Sequence, residues 1–111
     1  MHNRNKLIDI LISNISNAVV HRILEKATLN PEIVDWYRKE MINSFQIAKK
    51  YRDMINPKEK LPEKNIAYIR DKILRKVKGE LLIRVNKGYE NIDLDKVEEE
   101  IDQVLEEMKV I

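Results

Sequence analysis

One side of the third apolar segment carries residues that could contact phosphate groups. If residues 62–87 form a helix, about 100° per residue places four cations and one aromatic ring together, away from the apolar side. These residues are Lys64, Tyr68, Lys72, Arg75 and Lys76. Cations in a row can neutralise phosphates, and an aromatic ring among them can stack on a base. A solvated helix face carries lysines of the same kind, and no helix-turn-helix, RNA-recognition or zinc-finger signature accompanies this one.

The single tryptophan is a candidate for protein binding. Trp36 is adjacent to Tyr37 in the second apolar segment, so the two side chains point in different directions. Tyr37 falls on the apolar row, whereas Trp36 lies off that row near Ile33. Such a tryptophan either forms the edge of a wide core or contacts a partner, since tryptophan is enriched at binding hot spots. We expect Trp36 and Ile33 to contact a protein partner or a second copy of the chain.

Two pairs of carboxylates could bind a divalent cation. Glu32 and Asp35 are one helical turn apart, and so are Glu99 and Asp102. Acidic pairs of this type hold Mg²⁺ in all-α nucleotide pyrophosphohydrolases, because a hard cation prefers several oxygen ligands. The first pair also suits the positive end of a helix dipole, and a chain rich in acidic residues produces such spacings by chance. We therefore predict no metal site and keep a Mg²⁺-dependent hydrolase as the third alternative.

Other catalytic chemistry has little support in the sequence. The chain has no Cys, which excludes disulfides and thiolate metal sites. His21 and Glu25 have the wrong spacing for a di-iron bundle, and no serine lies in a nucleophile elbow. There is no glycine-rich phosphate loop. The sequence predicts no catalytic residue and no cofactor, and it leans against an enzyme.

Composition and charge narrow the class of fold. A length of 111 residues predicts a single domain, residues 1–111. Charged residues make up 36% of the chain, and only two Gly and three Pro are available for the turns of a β-sandwich or barrel. Residues 1–89 carry 19 Lys and Arg against 10 Asp and Glu, whereas residues 90–111 carry 2 against 9. This asymmetry favours an acidic C-terminal stretch that packs on a basic body and neutralises part of it.

Apolar periodicity and helix-end signals predict an all-α antiparallel bundle of about four helices connected by short loops. The predicted helices span about 4–28, 31–55, 62–87 and 93–109. Asn30 and Pro31 suit the start of the second helix, a polar loop with two prolines covers residues 56–62, and Gly88 suits a left-handed helix end. The first helix has an apolar arc too wide for one neighbour, so it either lies between two helices or offers a spare face to a partner chain.

Packing of the fourth helix against the third predicts cross-helix ion pairs. Arg70 and Arg84 share the arc of the apolar row Ile66, Ile69, Ile73, Val77, Leu81 and Val85. If the fourth helix folds back antiparallel, Arg84 meets Asp95 and Glu98, and Arg70 meets Glu106 and Glu107. The seam of the fourth helix recurs at spacings of three and four, which is typical of left-handed helix packing.

These patterns favour a non-enzymatic helical interaction module that works as a homodimer or within a protein complex. Nucleic-acid association through the third helix is the alternative. The sequence has no uninterrupted run of 18 apolar residues, so it predicts no membrane span. The basic N-terminus is not followed by a cleavage site for a signal peptide. We expect a cytoplasmic protein with no membrane contact.

Overall fold

The computed structural model describes residues 4–55 and 61–111 and confirms the all-α fold class. Its helices are α1 (Arg4–Ala27), α2 (Pro31–Met54), α3 (Glu63–Asn86) and α4 (Val97–Glu107). A 3₁₀ turn, Leu94–Lys96, precedes α4. The first three helices match the predicted ranges to within one or two residues, whereas α4 begins four residues later than expected. Most of the predicted polar loop, residues 56–60 with Lys58 and Lys60, lies outside the described residues.

α1 is the central helix of the bundle. It packs against α2, α3 and α4, whereas within the described ranges α2 and α3 flank it and pack far less against each other. Its wide apolar arc is covered from these three sides, and its buried residues are Leu7, Ile8, Leu11, Ile12, Ile15, Ser16, Ala18, Val19, Val20, Ile23 and Leu24. The apolar arc is therefore explained by packing within the chain, and the idea of a spare apolar face on this helix is wrong.

The same helix is long and apolar enough to cross a membrane by length and composition alone. Its 18-residue window has a mean hydropathy of 1.4, and 61% of that window is buried inside the fold. A central helix that is surrounded by three others has this composition because it is apolar on most sides.

The helix ends follow the expected local chemistry. The Asn30 side chain accepts a hydrogen bond from the Glu32 amide at 3.0 Å, and Pro31 occupies the first helical position, where no amide hydrogen is needed. Gly88 has a φ of 96°, the left-handed conformation that follows many helix ends. The Asp93 side chain accepts from the Asp95 amide and begins the 3₁₀ turn.

The buried residues of α2 are two small residues and one arginine. Ser44, Ala48 and Arg52 are buried, while most of the predicted apolar row of this helix is half-buried. Small side chains let two helix backbones approach closely, so the larger residues lie on either side of the contact. Arg52 was not expected in the core; its Nη1 donates to the Ile55 carbonyl at 2.6 Å and its Nε to the Lys109 carbonyl at 3.0 Å.

α3 buries Ile69, Ile73, Val77 and Leu81 as predicted, but Val85 is exposed. The physical reason is the late start of α4, which lies beside the N-terminal half of α3 and leaves its last turns uncovered. The ion pairs follow the same register. Arg70 pairs with Asp102 at 2.8 Å instead of Glu106 or Glu107, and Arg84 pairs with Glu80 at 2.9 Å instead of Asp95 or Glu98.

The C-terminal stretch forms a wall of the core. Its buried apolar residues are Val97, Ile101, Val104, Leu105, Met108 and Val110. Glu100 is also buried, and it meets two cations of α1: Arg22, at 3.4 Å, and Lys26. Arg22 additionally contacts Glu107 at 3.3 Å. The acidic stretch thus neutralises part of the basic body, as its composition suggested.

Candidate interaction surfaces

An apolar patch lies at the end of the bundle where α1 ends and α2 begins. We call it the end patch and define it as Leu29, Ile33, Trp36 and Tyr89. Leu29 is 94% exposed in the α1–α2 link, Trp36 is 54% exposed and Ile33 is 42% exposed. Tyr89, which follows α3, is exposed to a similar degree. The two residues predicted from sequence are thus joined by two others that come from separate connections.

Two aromatic rings fix the position of the tryptophan. The Trp36 ring meets His21 edge-on at 5.9 Å between centroids and an interplanar angle of 83°, and it meets Tyr37 at 5.2 Å and 61°. His21 and Tyr37 are themselves 5.9 Å apart. Burial lowers the pKa of His21.

A hollow of about 410 Å³ lies beside Ile33. It is lined mainly by apolar and aromatic groups from α1, α2 and the α3–α4 connection: Leu24, Ala27, Thr28, Leu29, Ile33, Tyr37, Tyr89, Glu90, Asn91 and Ile92. Burial and then the neighbouring Tyr89 raise the pKa of Tyr37. This phenol stays protonated at neutral pH, so the hollow offers apolar walls with hydroxyl groups and one carboxylate.

Three ion pairs lie close to the end patch. Each pair joins one cation to one carboxylate at 3.0 Å or less: Arg38 with Glu25, Lys39 with Asp35 and Arg84 with Glu80. Glu32 and Glu90, which adjoin Ile33 and Tyr89 in the chain, are exposed and in no ion pair among the described residues, so the surroundings of the patch carry both signs with some excess of carboxylates.

The second surface is the basic face of α3, defined as Lys64, Tyr68, Lys72, Arg75 and Lys76. The structure places all five on one side of the helix, where four are exposed and Lys72 is half-buried. The Lys72 Nζ lies 5.7 Å from the centroid of the Tyr68 ring, a cation–π distance. Arg75 contacts Asp71 at 3.3 Å one turn away.

A groove of about 420 Å³ runs along this face between α1 and α3. It is lined by Ser13, Ser16, Asn17, Val20, Arg75, Lys76, Gly79, Glu80 and Ile83. A Cβ at Gly79 would have nothing within 4 Å, so the glycine leaves the groove wider without being needed for packing inside the chain. The hydroxyl and amide groups on the α1 side face the two cations on the α3 side. Sequence patterns along one helix could not reveal this groove, because it needs two helices.

A third groove, between α1, α2 and α4, measures about 520 Å³ and has an apolar floor that includes Met41, Ile42 and Phe45. Its cations Arg22 and Lys26 already meet Glu100 and Glu107. These ion pairs satisfy the charges at its rim, so the groove offers no group that would orient a charged ligand.

The acidic pairs are not brought together. Asp35 contacts Lys39 at 3.0 Å, and Asp102 contacts Arg70 at 2.8 Å. Across residues 4–55 and 61–111, no three His, Asp or Glu side chains group as metal ligands. The two carboxylates thus act as partners of cations in the fold.

Comparison with known proteins gives no relative for this chain. It matches no protein-family model, no curated protein and no solved structure. Function is therefore inferred from the end patch, from the basic face of α3 and from the groove beside it.

Proposed function

We propose that the protein is a non-enzymatic helical module that self-associates through the end patch as a two-fold dimer. The observation that carries the proposal is Trp36, a large side chain that is more than half exposed and yet fixed against two other rings. Leu29 and Ile33 extend the apolar surface on one side of it.

A fixed aromatic side chain is a favourable anchor for binding. Trp36 already has its ring orientation set by His21 and Tyr37, so little conformational freedom remains to be lost on association. Apolar contact around a tryptophan is also the arrangement found at binding hot spots. The hollow beside Ile33 supplies room for one large apolar side chain of the other copy.

The charges around the patch favour a second copy as the occupant. In a two-fold interface each surface meets itself, so a rim of one sign would repel its own copy. The rim of the end patch instead carries both signs and includes closed pairs such as Arg38 with Glu25 and Lys39 with Asp35. Two rims that carry both signs can meet without a uniform like-charge repulsion, and the apolar centre provides the gain in free energy.

The experiment compares two isoleucines of the same helix by sedimentation equilibrium over a wide concentration range. Ile33 and Ile42 have nearly equal exposure, 42% and 45%, but only Ile33 belongs to the end patch. We expect a concentration-dependent dimer whose dissociation constant rises at least tenfold in Ile33→Ser and at least thirtyfold in Trp36→Ser, since hot-spot truncations cost about 1–2 kcal/mol or more. Ile42→Ser leaves the dissociation constant unchanged.

Two results would overturn the proposal. One is a monomer at every concentration. The other is equal weakening by Ile33→Ser and Ile42→Ser, which would show that the dimer uses another part of α2. Because Trp36 is the only tryptophan of the chain, its emission maximum provides a second readout, and we expect a blue shift on dimerisation as the ring leaves water.

A further inference from the structure

We propose that the basic face of α3, together with the α1–α3 groove beside it, binds the phosphate backbone of single-stranded nucleic acid. This site does not overlap with the end patch, and the inference does not depend on dimerisation. It rests on unpaired cations, on the composition of the groove and on an exposed aromatic ring.

The cations of this face remain available for a ligand. In the described part of the chain, Lys64, Lys72 and Lys76 have no carboxylate within ion-pair distance. Arg75 contacts Asp71 in an exposed pair at 3.3 Å, and such a pair is weak enough to exchange for a phosphate. When a row of unpaired cations binds a nucleic-acid backbone, it displaces the counterions that are condensed on the phosphates. This release supplies most of the non-specific affinity.

The groove adds groups that hydrogen-bond to phosphate oxygens. Arg75 and Lys76 line it from α3, while Ser13 and Asn17 line it from α1. Hydroxyl and amide side chains, alongside arginine and lysine, are the usual partners of backbone phosphates. Gly79 has open space where a side chain would project, so a backbone can approach α3 closely at this point. The groove's carboxylate, Glu80, is paired with Arg84 at 2.9 Å and is thus partly neutralised.

Tyr68 selects the single-stranded form. Tyr68 is 48% exposed, and its ring lies beside Lys72, at 5.7 Å from Nζ to the ring centroid. An unpaired base can stack on such a ring, and stacking does not depend on base identity. In a duplex the bases are already stacked on each other, so the ring would contribute nothing.

The distribution of acidic residues directs the ligand to this side of α3. The acidic helix α4 lies on the other flank of α3, where Arg70 holds Asp102 at 2.8 Å. Exposed carboxylates of α4, among them Glu98, Glu99 and Glu106, keep a polyanion away from that flank. The positive potential is therefore one-sided.

The test uses fluorescence anisotropy of labelled oligo(U) and oligo(dT) of equal length, with the full chain, from low to physiological salt. We expect binding whose affinity falls linearly with salt on a double-logarithmic scale. The double variant Arg75→Gln with Lys76→Gln weakens binding at least tenfold and reduces the slope by about 1.4, the value for two phosphate contacts on a single strand. Tyr68→Leu weakens binding about tenfold without changing the slope, because stacking involves no counterions. Similar affinities for the two probes indicate recognition of the shared backbone, and a preference for oligo(U) indicates contact with the ribose hydroxyl.

The matched control is Lys49→Gln with Lys50→Gln, which removes the same charge from two adjacent exposed positions of α2. It should bind nearly as well as the original chain. Equal losses in both double variants would overturn the proposal, because net charge alone would then explain the affinity. An absence of binding at low salt would overturn it as well. Equally tight binding of polyglutamate would also overturn it, because the face would then be assigned to acidic protein partners. Circular dichroism of each variant verifies that the helices remain folded.

Discussion

Replacing Arg52 by methionine should destabilise the bundle far more than the same change at Arg38, another arginine of α2. Arg52 is only 6% exposed, and two of its hydrogen bonds go to main-chain carbonyls of Ile55 and Lys109. One of these carbonyls lies just after α2 and the other near the C-terminus, so the guanidinium holds two distant parts of the chain together. Methionine fills much of the same space but donates no hydrogen bond.

The magnitude is worked from these two bonds and one compensating gain. A hydrogen bond from a charged donor contributes about 1.5–3 kcal/mol, so two of them contribute about 3–6 kcal/mol. The gain is that no charge has to leave water: burial lowers the pKa of Arg52, which shows that its charged form is disfavoured there. Removing this penalty leaves a net loss of about 2–4 kcal/mol in the free energy of unfolding. Arg38 is exposed and pairs with Glu25 at 2.8 Å, and its replacement should cost about 0–1 kcal/mol.

Urea unfolding followed by circular dichroism at 222 nm measures both variants. For a chain of this size each kcal/mol shifts the thermal midpoint by about 3–6 °C, so a loss of about 2–4 kcal/mol should make Arg52→Met melt about 6–24 °C below the original protein. The thermal midpoint of Arg52→Lys should lie between those of Arg52→Met and the original protein, because lysine keeps a charge but lacks the planar guanidinium. A loss below about 1 kcal/mol for Arg52→Met, or equal losses for Arg52→Met and Arg38→Met, would refute the assignment of Arg52 as a link between α2 and the C-terminal residues.

Two further predictions concern pH and backbone conformation. Because burial lowers the pKa of His21, this residue binds more protons in the unfolded chain than in the folded one just below about pH 6.5. Urea unfolding should therefore show that the free energy of unfolding decreases as the pH drops through this region. An equally steep decrease in the variant His21→Gln would contradict the reasoning. Gly79→Ala should raise the free energy of unfolding by about 0.5–1 kcal/mol, since the helix gains a better helix former and the methyl group meets nothing. The same change at Gly88, where φ is 96°, should lower it by about 1–2 kcal/mol. Shifts of the same sign at the two glycines would show that backbone conformation does not decide the outcome.

Local chemistry was readable from sequence because it depends on near neighbours in the chain. The start of α2 follows from Asn30 and Pro31, and the left-handed turn after α3 follows from Gly88. The apolar row of α3 was predicted correctly up to Leu81 for the same reason: helical periodicity is a property of one segment.

The buried charges could not be predicted because burial of a charged residue depends on distant partners. Arg52 and Glu100 occupy positions that would suit the edge of any amphipathic helix. Their burial requires the Lys109 carbonyl in one case and the cations Arg22 and Lys26 in the other. Neither partner lies within the same helix, so periodicity carries no signal for these contacts.

Register between helices was the other source of error. The expected partners of Arg70 assumed that the fourth helix began near residue 93, but a 3₁₀ turn delays α4 to Val97. Arg70 therefore meets Asp102 instead of a residue one turn later, and Val85 has no helix over it. The full extent of the end patch could not be predicted either, because Leu29 and Tyr89 lie in connections that show no periodicity.

The placement of α4 links the two proposed surfaces. The chain carries a formal net charge of +2, yet its C-terminal stretch alone is strongly acidic. In that stretch Glu100 and Glu107 pair with a cation of α1, and Asp102 pairs with a cation of α3. These three carboxylates therefore lie on one flank of the bundle. The basic face of α3 lies on the other flank and keeps its cations, while the rim of the end patch carries charges of both signs. Two copies can thus join at their end patches without bringing the basic faces into the contact, and each copy of a dimer would retain its own site for a polyanion.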